Sequence, residues 1–272
     1  ERAQLPQEQP GASYDQCVVK RVSAESTIFK YLDESVTGAA EFIPTSMLTD
    51  IEPFLLIQLK KISTNPYSFP IVHSILNEFS ILSCLEHPNI VNCLDIFMHQ
   101  NSGLHFYLVL GFINGKELYY YFDECGSFSE SQIKFILGSL VVIFVYLESK
   151  NIIHGDLKLE NLMITSNGFI KLVDFGSASW GNGHLINLCG TLDYLGPEVI
   201  FGNISYPKDK FKDKDQLKMV EKLLKYEREE RFKKFEDMRN LNYFKNFDFQ
   251  EINVKSPLHY KNTLGNLIKN NL

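Results

Sequence analysis

The sequence predicts an α+β chain of two lobes, a small one rich in antiparallel strands and a larger one that is mainly helical. Three observations carry this. Short apolar, strand-like runs concentrate before residue 111, and helical spacing of apolar residues dominates from Ser129 onward. Between them, Gly111-Phe112-Ile113-Asn114-Gly115 has the composition of a hinge. Strands first and helices later separate into layers of this kind. At 272 residues, 44% hydrophobic and 22% charged, the chain can bury a sizeable core in one two-lobed domain or in two small ones.

Residues 1–26 read as an N-terminal extension, 27–110 as the small lobe, 111–247 as the large lobe and 248–272 as a tail. Phe54-Leu55-Leu56-Ile57-Gln58-Leu59, ending in Lys60-Lys61, fits a strand. A helix is expected over residues 71–85, where Ile75, Phe79, Leu82 and Leu85 fall on one face, with His87-Pro88-Asn89 ending it. Strands over residues 90–97 and 104–110 flank His99-Gln100-Asn101-Ser102-Gly103, a hairpin turn. Ser129 caps a helix over residues 130–149, with Gln132 at the capping-box position. Residues 262–272 are polar and asparagine-rich and are expected to fray.

Composition excludes several function classes. A net charge of −6 gives no general reason to expect nucleic-acid binding, and the basic residues between Lys208 and Arg239 alternate with acids as on a solvated helical face. Cys17, Cys84, Cys93, Cys125 and Cys189 form no C-x-x-C pair, which argues against zinc or a disulfide framework and fits a reducing, cytoplasmic compartment. The longest apolar run, residues 136–147, is interrupted by Gly138 and Ser139 and is shorter than the roughly 20 residues of a membrane span. It is expected to be a buried core helix. Nothing in residues 1–10 has the pattern of a signal peptide.

The chemistry concentrates in His154-Gly155-Asp156-Leu157-Lys158-Leu159-Glu160-Asn161 and Asp174-Phe175-Gly176. The first places an acid, a cation and an amide in one loop, and the second adds an acid on the next turn. Phosphoryl transfer needs positioned magnesium, neutralised phosphate charge and an oriented hydroxyl, and this set supplies each.

These residues resemble the catalytic and metal-binding loops of eukaryotic protein kinases. Asp156 to Asn161 is five positions and Asp156 to Asp174 eighteen, as in that family, and the L-K-x-E-N context is similar to its serine/threonine members. The resemblance implies that Asp156 orients the substrate hydroxyl, Lys158 steadies the transferring phosphate, and Asn161 and Asp174 ligate magnesium. Ile57-Gln58-Leu59-Lys60-Lys61-Ile62 resembles the V-A-I-K-K-I strand. Lys60 then contacts the ATP phosphates and pairs with Glu78, with Lys61 the competing assignment. Backbone groups of Gly111 and Ile113 face adenine, Leu110 guards the back of the pocket, Glu117 holds the ribose and Met163 packs under the ring. The phosphate loop matches poorly: Val36-Thr37-Gly38-Ala39-Ala40-Glu41 keeps only Gly38.

Leu188-Cys189-Gly190-Thr191-Leu192-Asp193-Tyr194-Leu195-Gly196-Pro197-Glu198 resembles the L-C-G-T-P-E-Y-L-A-P-E of cyclic-nucleotide-dependent and related kinases, the AGC group. Thr191 then completes the floor beneath the substrate hydroxyl, and Glu198 pairs with Arg231. Residues 242–249 followed by Ser256-Pro257 are similar to the start of the AGC tail, so the likeness covers roughly residues 28–260.

Two departures bear on regulation and stability. The arginine of H-R-D is Gly155 and the phosphorylated threonine position is Asn187, so both halves of a charge-assisted clamp are missing. Phosphorylation of that loop is therefore not expected to switch the protein. Only thirty-three residues separate Pro197 from Arg231, and no D-x-W-S-x-G is present, so the central helix of the large lobe is expected to be missing. Each large side chain such a helix leaves exposed forfeits about 1.5–3 kcal/mol, against a net stability of about 5–15 kcal/mol. A helix over residues 214–226, with Leu217, Val220 and Leu224 on one side, covers part of the gap. The resemblance thus implies a serine/threonine kinase using ATP and Mg2+ on a protein substrate, with a regulatory protein as a further candidate partner. The second reading is a kinase-shaped module that binds nucleotide or a partner without catalysis.

Overall fold

The computed structural model describes residues 13–19, 57–64, 69–100, 104–181, 191, 194–197, 206–211, 213–250 and 252. They divide into two compact units. One gathers the described residues up to Leu85 together with Val91–Ile113, and the other holds Glu86–Ile90 with those from Asn114 onward.

In the first unit, β1 (Ser13–Val19), β2 (Ile57–Thr64), β3 (Cys93–Gln100) and β4 (Leu104–Gly111) form an antiparallel sheet in the order β1-β2-β4-β3. Residues 13–19 therefore correct the sequence reading, which places them in an extension. The β-branched pair Val18-Val19 suits a strand, and β2 offers the edge it pairs with. The strand expected from residue 90 begins instead at Cys93, and the ladder shifts register between Cys93 and Asp95. Helix α1 (Phe69–Ser83) starts and ends two residues earlier than its periodicity suggests, and buries Ile75, Ile81 and Leu82.

The second unit is built around α3 (Glu130–Ser149). Its start is as the sequence predicts: the Gln132 N–H donates to Ser129 Oγ at 3.4 Å and the Ser129 N–H to Gln132 Oε1 at 2.7 Å. At 20 residues with a mean hydropathy of 1.6, α3 is long and apolar enough to cross a membrane by length and composition, beyond the shorter run seen in the sequence. Half of that window is buried inside the unit, where Phe135, Val141, Ile143 and Leu147 face the core. Helix α2 (Leu118–Cys125) escapes the sequence reading because its Tyr119-Tyr120-Tyr121 run has middling helix propensity. Its stop signal was legible: Gly126, at φ 67°, closes it with a left-handed cap.

Three strands, β5 (Gly115–Glu117), β7 (Leu162–Thr165) and β8 (Ile170–Leu172), form a small sheet ordered β5-β7-β8, and β6 (Ile152–Ile153) pairs with β9 (Ser179–Trp180). Helices α4 (Lys214–Leu223) and α5 (Glu236–Arg239) complete the unit. The face of α4 differs from expectation: Gln216 and Met219 are buried, whereas Leu217, Val220 and Leu224 are half-buried. Met219 joins Val141, Met238, Tyr243 and Phe244 in one cluster, with Leu223 packed against it. Tyr243 Oη donates to Glu130 Oε1 at 2.8 Å, tying the C-terminal turns to the start of α3.

The His87-Pro88-Asn89 turn is fastened to β8. Asn89 Nδ2 donates to the Ile170 carbonyl at 2.8 Å, and the Leu172 N–H donates to the Asn89 carbonyl at 2.8 Å. The His87 ring lies 4.8 Å from Tyr146, and its Nδ1 accepts the Asn89 N–H at 3.1 Å. Burial first, and then the charge of Lys171, push the His87 pKa down to about 4. A histidine depressed in the folded state binds its proton more readily when unfolded, so stability is full above about 6.5 and falls as pH drops towards 4. Discounted for the half-exposed ring, this contributes about 1–2 kcal/mol. We expect the melting temperature to fall between pH 7 and 5, and less so in His87→Gln. A profile identical to the unchanged chain's would remove this assignment.

Candidate active site

The loop after β6 carries Asp156, both of whose oxygens are engaged. Oδ1 accepts the Thr191 N–H at 2.8 Å and the Thr191 hydroxyl at 2.9 Å. Oδ2 pairs with Lys158 Nζ at 2.9 Å and accepts Asn161 Nδ2 at 3.3 Å. Lys158 Nζ also donates to Thr191 Oγ1 at 3.0 Å, closing a ring of Asp156, Lys158 and Thr191. Burial alone would raise the Asp156 carboxyl, but hydrogen bonds from Lys158 and Thr191, with the Lys158 charge, outweigh it and hold the group below its ordinary range. Lys158 is raised in turn, chiefly by its hydrogen bond to Asp156. The site therefore holds a carboxylate and an ammonium side by side at neutral pH, positioned to orient a hydroxyl and to neutralise an anion.

Asn161 ends a 3-10 turn (Leu159–Asn161), with Nδ2 donating to the Asp156 carbonyl at 2.8 Å. With its nitrogen committed to Asp156, the amide keeps its oxygen as the atom able to ligate a cation. The Val173 N–H donates to the Asn161 carbonyl at 2.9 Å, tying this loop to the next one residue before Asp174. Asp174 adopts φ 59°, a left-handed conformation uncommon outside glycine, and its Oδ1 accepts the Gly176 N–H at 3.4 Å. Among the described residues no group of three or more His, Cys, Asp or Glu side chains could hold a metal. One amide and one carboxylate do fit magnesium, which retains waters and phosphate oxygens beside one or two protein ligands.

His154 supports both loops, a role the sequence reading leaves unassigned although the residue stands in the quoted motif. It is buried, its Nε2 lies 3.1 Å from the Val173 carbonyl, and its Nδ1 accepts the Asp156 N–H at 3.4 Å. Burial lowers its pKa, so the ring is neutral, with Nε2 the donor to Val173. The ring of Phe175 meets it edge-on at 4.8 Å.

Gly155 sits between these residues at φ 84°, and a Cβ there would lie 2.4 Å from the Ser177 carbonyl oxygen. The two loops approach closely here because no side chain intervenes. Gly155→Ala is expected to cost about 1–3 kcal/mol from backbone strain and to push the loops apart, lowering the melting temperature. Unchanged thermal denaturation would show that the chain tolerates a side chain at this position.

The other predicted residues are placed as follows. Glu117 and Met163 are direct cross-strand partners in β5 and β7. In the first unit, Gly111 ends β4 with its N–H donating to the Asn92 carbonyl at 2.9 Å, and Ile113 and Leu110 are buried. Glu78 is buried on α1, and Lys60 lies in β2 opposite Leu108 and Gln16, its side chain being outside the described residues. Gly38 and Glu198 also lie outside the described residues. Arg231 donates from Nε to the Lys225 carbonyl at 2.6 Å and from Nη2 to that of Tyr226 at 3.4 Å.

The protein kinase domain family matches residues 55–215. A probable serine/threonine-protein kinase of Dictyostelium discoideum is 30% identical over 67% of this chain and 40% of its own length. The cAMP-dependent protein kinase catalytic subunit of the same organism is 37% identical over 47% of this chain and 19% of its own. Aurora kinase A-A of Xenopus laevis is 38% identical over 48% of this chain and 32% of its own. The chain thus spans well under half the length of these curated relatives.

Proposed function

Because the chain belongs to the protein kinase domain family, we propose that it is a serine/threonine kinase that transfers the γ-phosphate of magnesium-bound ATP to a protein hydroxyl. The observation that carries this is the closed ring of Asp156, Lys158 and Thr191, with Asn161 bonded to the same carboxylate. A substrate serine or threonine displaces part of that ring, exchanging its own hydroxyl for the Thr191 hydroxyl at Asp156 Oδ1. Lys158 then follows the transferring phosphate. With its low pKa, Asp156 acts chiefly by fixing the direction of the attacking oxygen. Asn161 and Asp174 would hold magnesium, which when bound would neutralise charge on the phosphates. Lys60 and Glu78 serve the phosphates, Gly111 and Ile113 the adenine, and Glu117 and Met163 the ribose and the underside of the ring.

The finer placement in the AGC group is supported by the Leu188-Cys189-Gly190-Thr191 segment and by the similarity to a cAMP-dependent kinase. Thermal denaturation with and without ATP and magnesium, followed by transfer to a basic serine-containing peptide, tests the proposal. Ligand at about 100 times its dissociation constant stabilises by about 2.7 kcal/mol, and labelled peptide is the expected product. Stabilisation without labelled peptide would favour the alternative, a module that binds nucleotide without catalysis.

A further inference from the structure

Behind the loop that carries Asp156, the second unit has a pocket of about 410 Å³ lined by Phe144, Ile153, Leu157 and Phe235, with Glu148 and Asn151 among its polar groups. Its volume lies in the range of ligand and side-chain pockets, about 300–1,000 Å³. Among the described helices other than α3, only α5 reaches it, through Phe235 at its N-terminus. Met219 of α4 packs instead with Val141, earlier on α3, while the Phe144 and Phe235 rings stack at 5.0 Å along the pocket wall.

We propose that this pocket docks a helix of a partner protein, one that presents a large aliphatic or aromatic side chain beside a lysine or arginine. Three observations select that occupant. Ile153 is 40% exposed and Phe235 37%, and Trp180, opposite Ile152 in the β6–β9 pair, is 40% exposed, so an apolar surface continues out of the pocket. Glu148 is the carboxyl-bearing residue of the lining: it makes no ion pair among the described residues, no lysine or arginine among those residues lines the pocket, and burial lowers the pKa of His154. A cation is therefore the complementary neighbour. The β6 strand is only 2 residues long, too short to template an added strand, so recognition falls to inserted side chains, as in helix-in-groove binding. Gly155 and Leu157 line the pocket on either side of Asp156 in sequence, which gives an occupant purchase on the loop from its far side.

The test uses the full chain and two synthetic helical peptides of about 18 residues that share one Leu/Phe stripe. One is flanked by lysines, the other by glutamates, and fluorescence anisotropy reads binding. The lysine peptide should bind about fivefold more tightly, the upper range for an exposed charge pair, and Glu148→Gln should erase most of that ratio. Ile153→Asp and, separately, Phe235→Ser should each weaken the lysine peptide about tenfold or more. Thermal denaturation identifies a variant that fails to fold, and the other then decides. Failure of the lysine peptide to bind, equal binding of both peptides, or unaltered binding by both variants would overturn the proposal. So would a concentration-dependent dimer abolished by Ile153→Asp, which would make a second copy the occupant. These readouts stand whether or not the chain transfers phosphate.

Discussion

Asp156→Asn is expected to lower the turnover number of the proposed phosphate transfer by about 10²–10⁴-fold, the range expected when a positioned acid–base group is lost. The amide keeps one oxygen for Thr191, but its other atom becomes a donor facing Lys158 Nζ and Asn161 Nδ2, both donors at 2.9 and 3.3 Å from Asp156 Oδ2. The ring must rearrange, so the substrate hydroxyl meets an uncharged, displaced acceptor and loses its direction. ATP affinity should change little, because Asp156 is assigned to the hydroxyl and not to the nucleotide. Steady-state kinetics separate the two quantities. A variant that loses affinity for ATP while keeping turnover would assign Asp156 to the wrong reactant.

The second large effect is expected of Asp174→Asn, which removes the carboxylate of the proposed magnesium pair. Neutralisation of the phosphates by the metal is worth several kcal/mol, so transfer should fall by about 10³-fold or more, at roughly 1.36 kcal/mol per decade. Raising the magnesium concentration should recover part of the loss. The left-handed backbone at φ 59° suits asparagine as well as aspartate, so the variant tests charge with little added strain. Isothermal titration of magnesium in the presence of ATP is the direct check. Undiminished affinity together with undiminished transfer would show that Asp174 does not ligate the metal.

The two loops were legible because each chemical role needs one residue type at one spacing, and spacing is visible in a sequence. Asp156 bonds to Lys158, Asn161 and Thr191 in one cluster, and Ser129 with Gln132 predicted the start of the long helix. Where several residues of similar character compete, the sequence decides less. The buried face of α4 turns on Met219, an unbranched and adaptable side chain that joins Val141 and Tyr243 in one buried cluster. Strand β1 depends on a partner more than thirty positions away, information no local window contains. Gly155 reads in the sequence as a lost arginine. In the structure it is the position where two loops touch because a side chain is missing.

The most direct measurement is transfer of label from [γ-³²P]ATP to a serine-containing protein substrate by the purified chain, with magnesium, alongside Asp156→Asn. The account predicts labelled phosphoserine that accumulates with time, requires magnesium and disappears in the variant. Binding of ATP to the folded chain with no phosphoserine above the variant's background would contradict it.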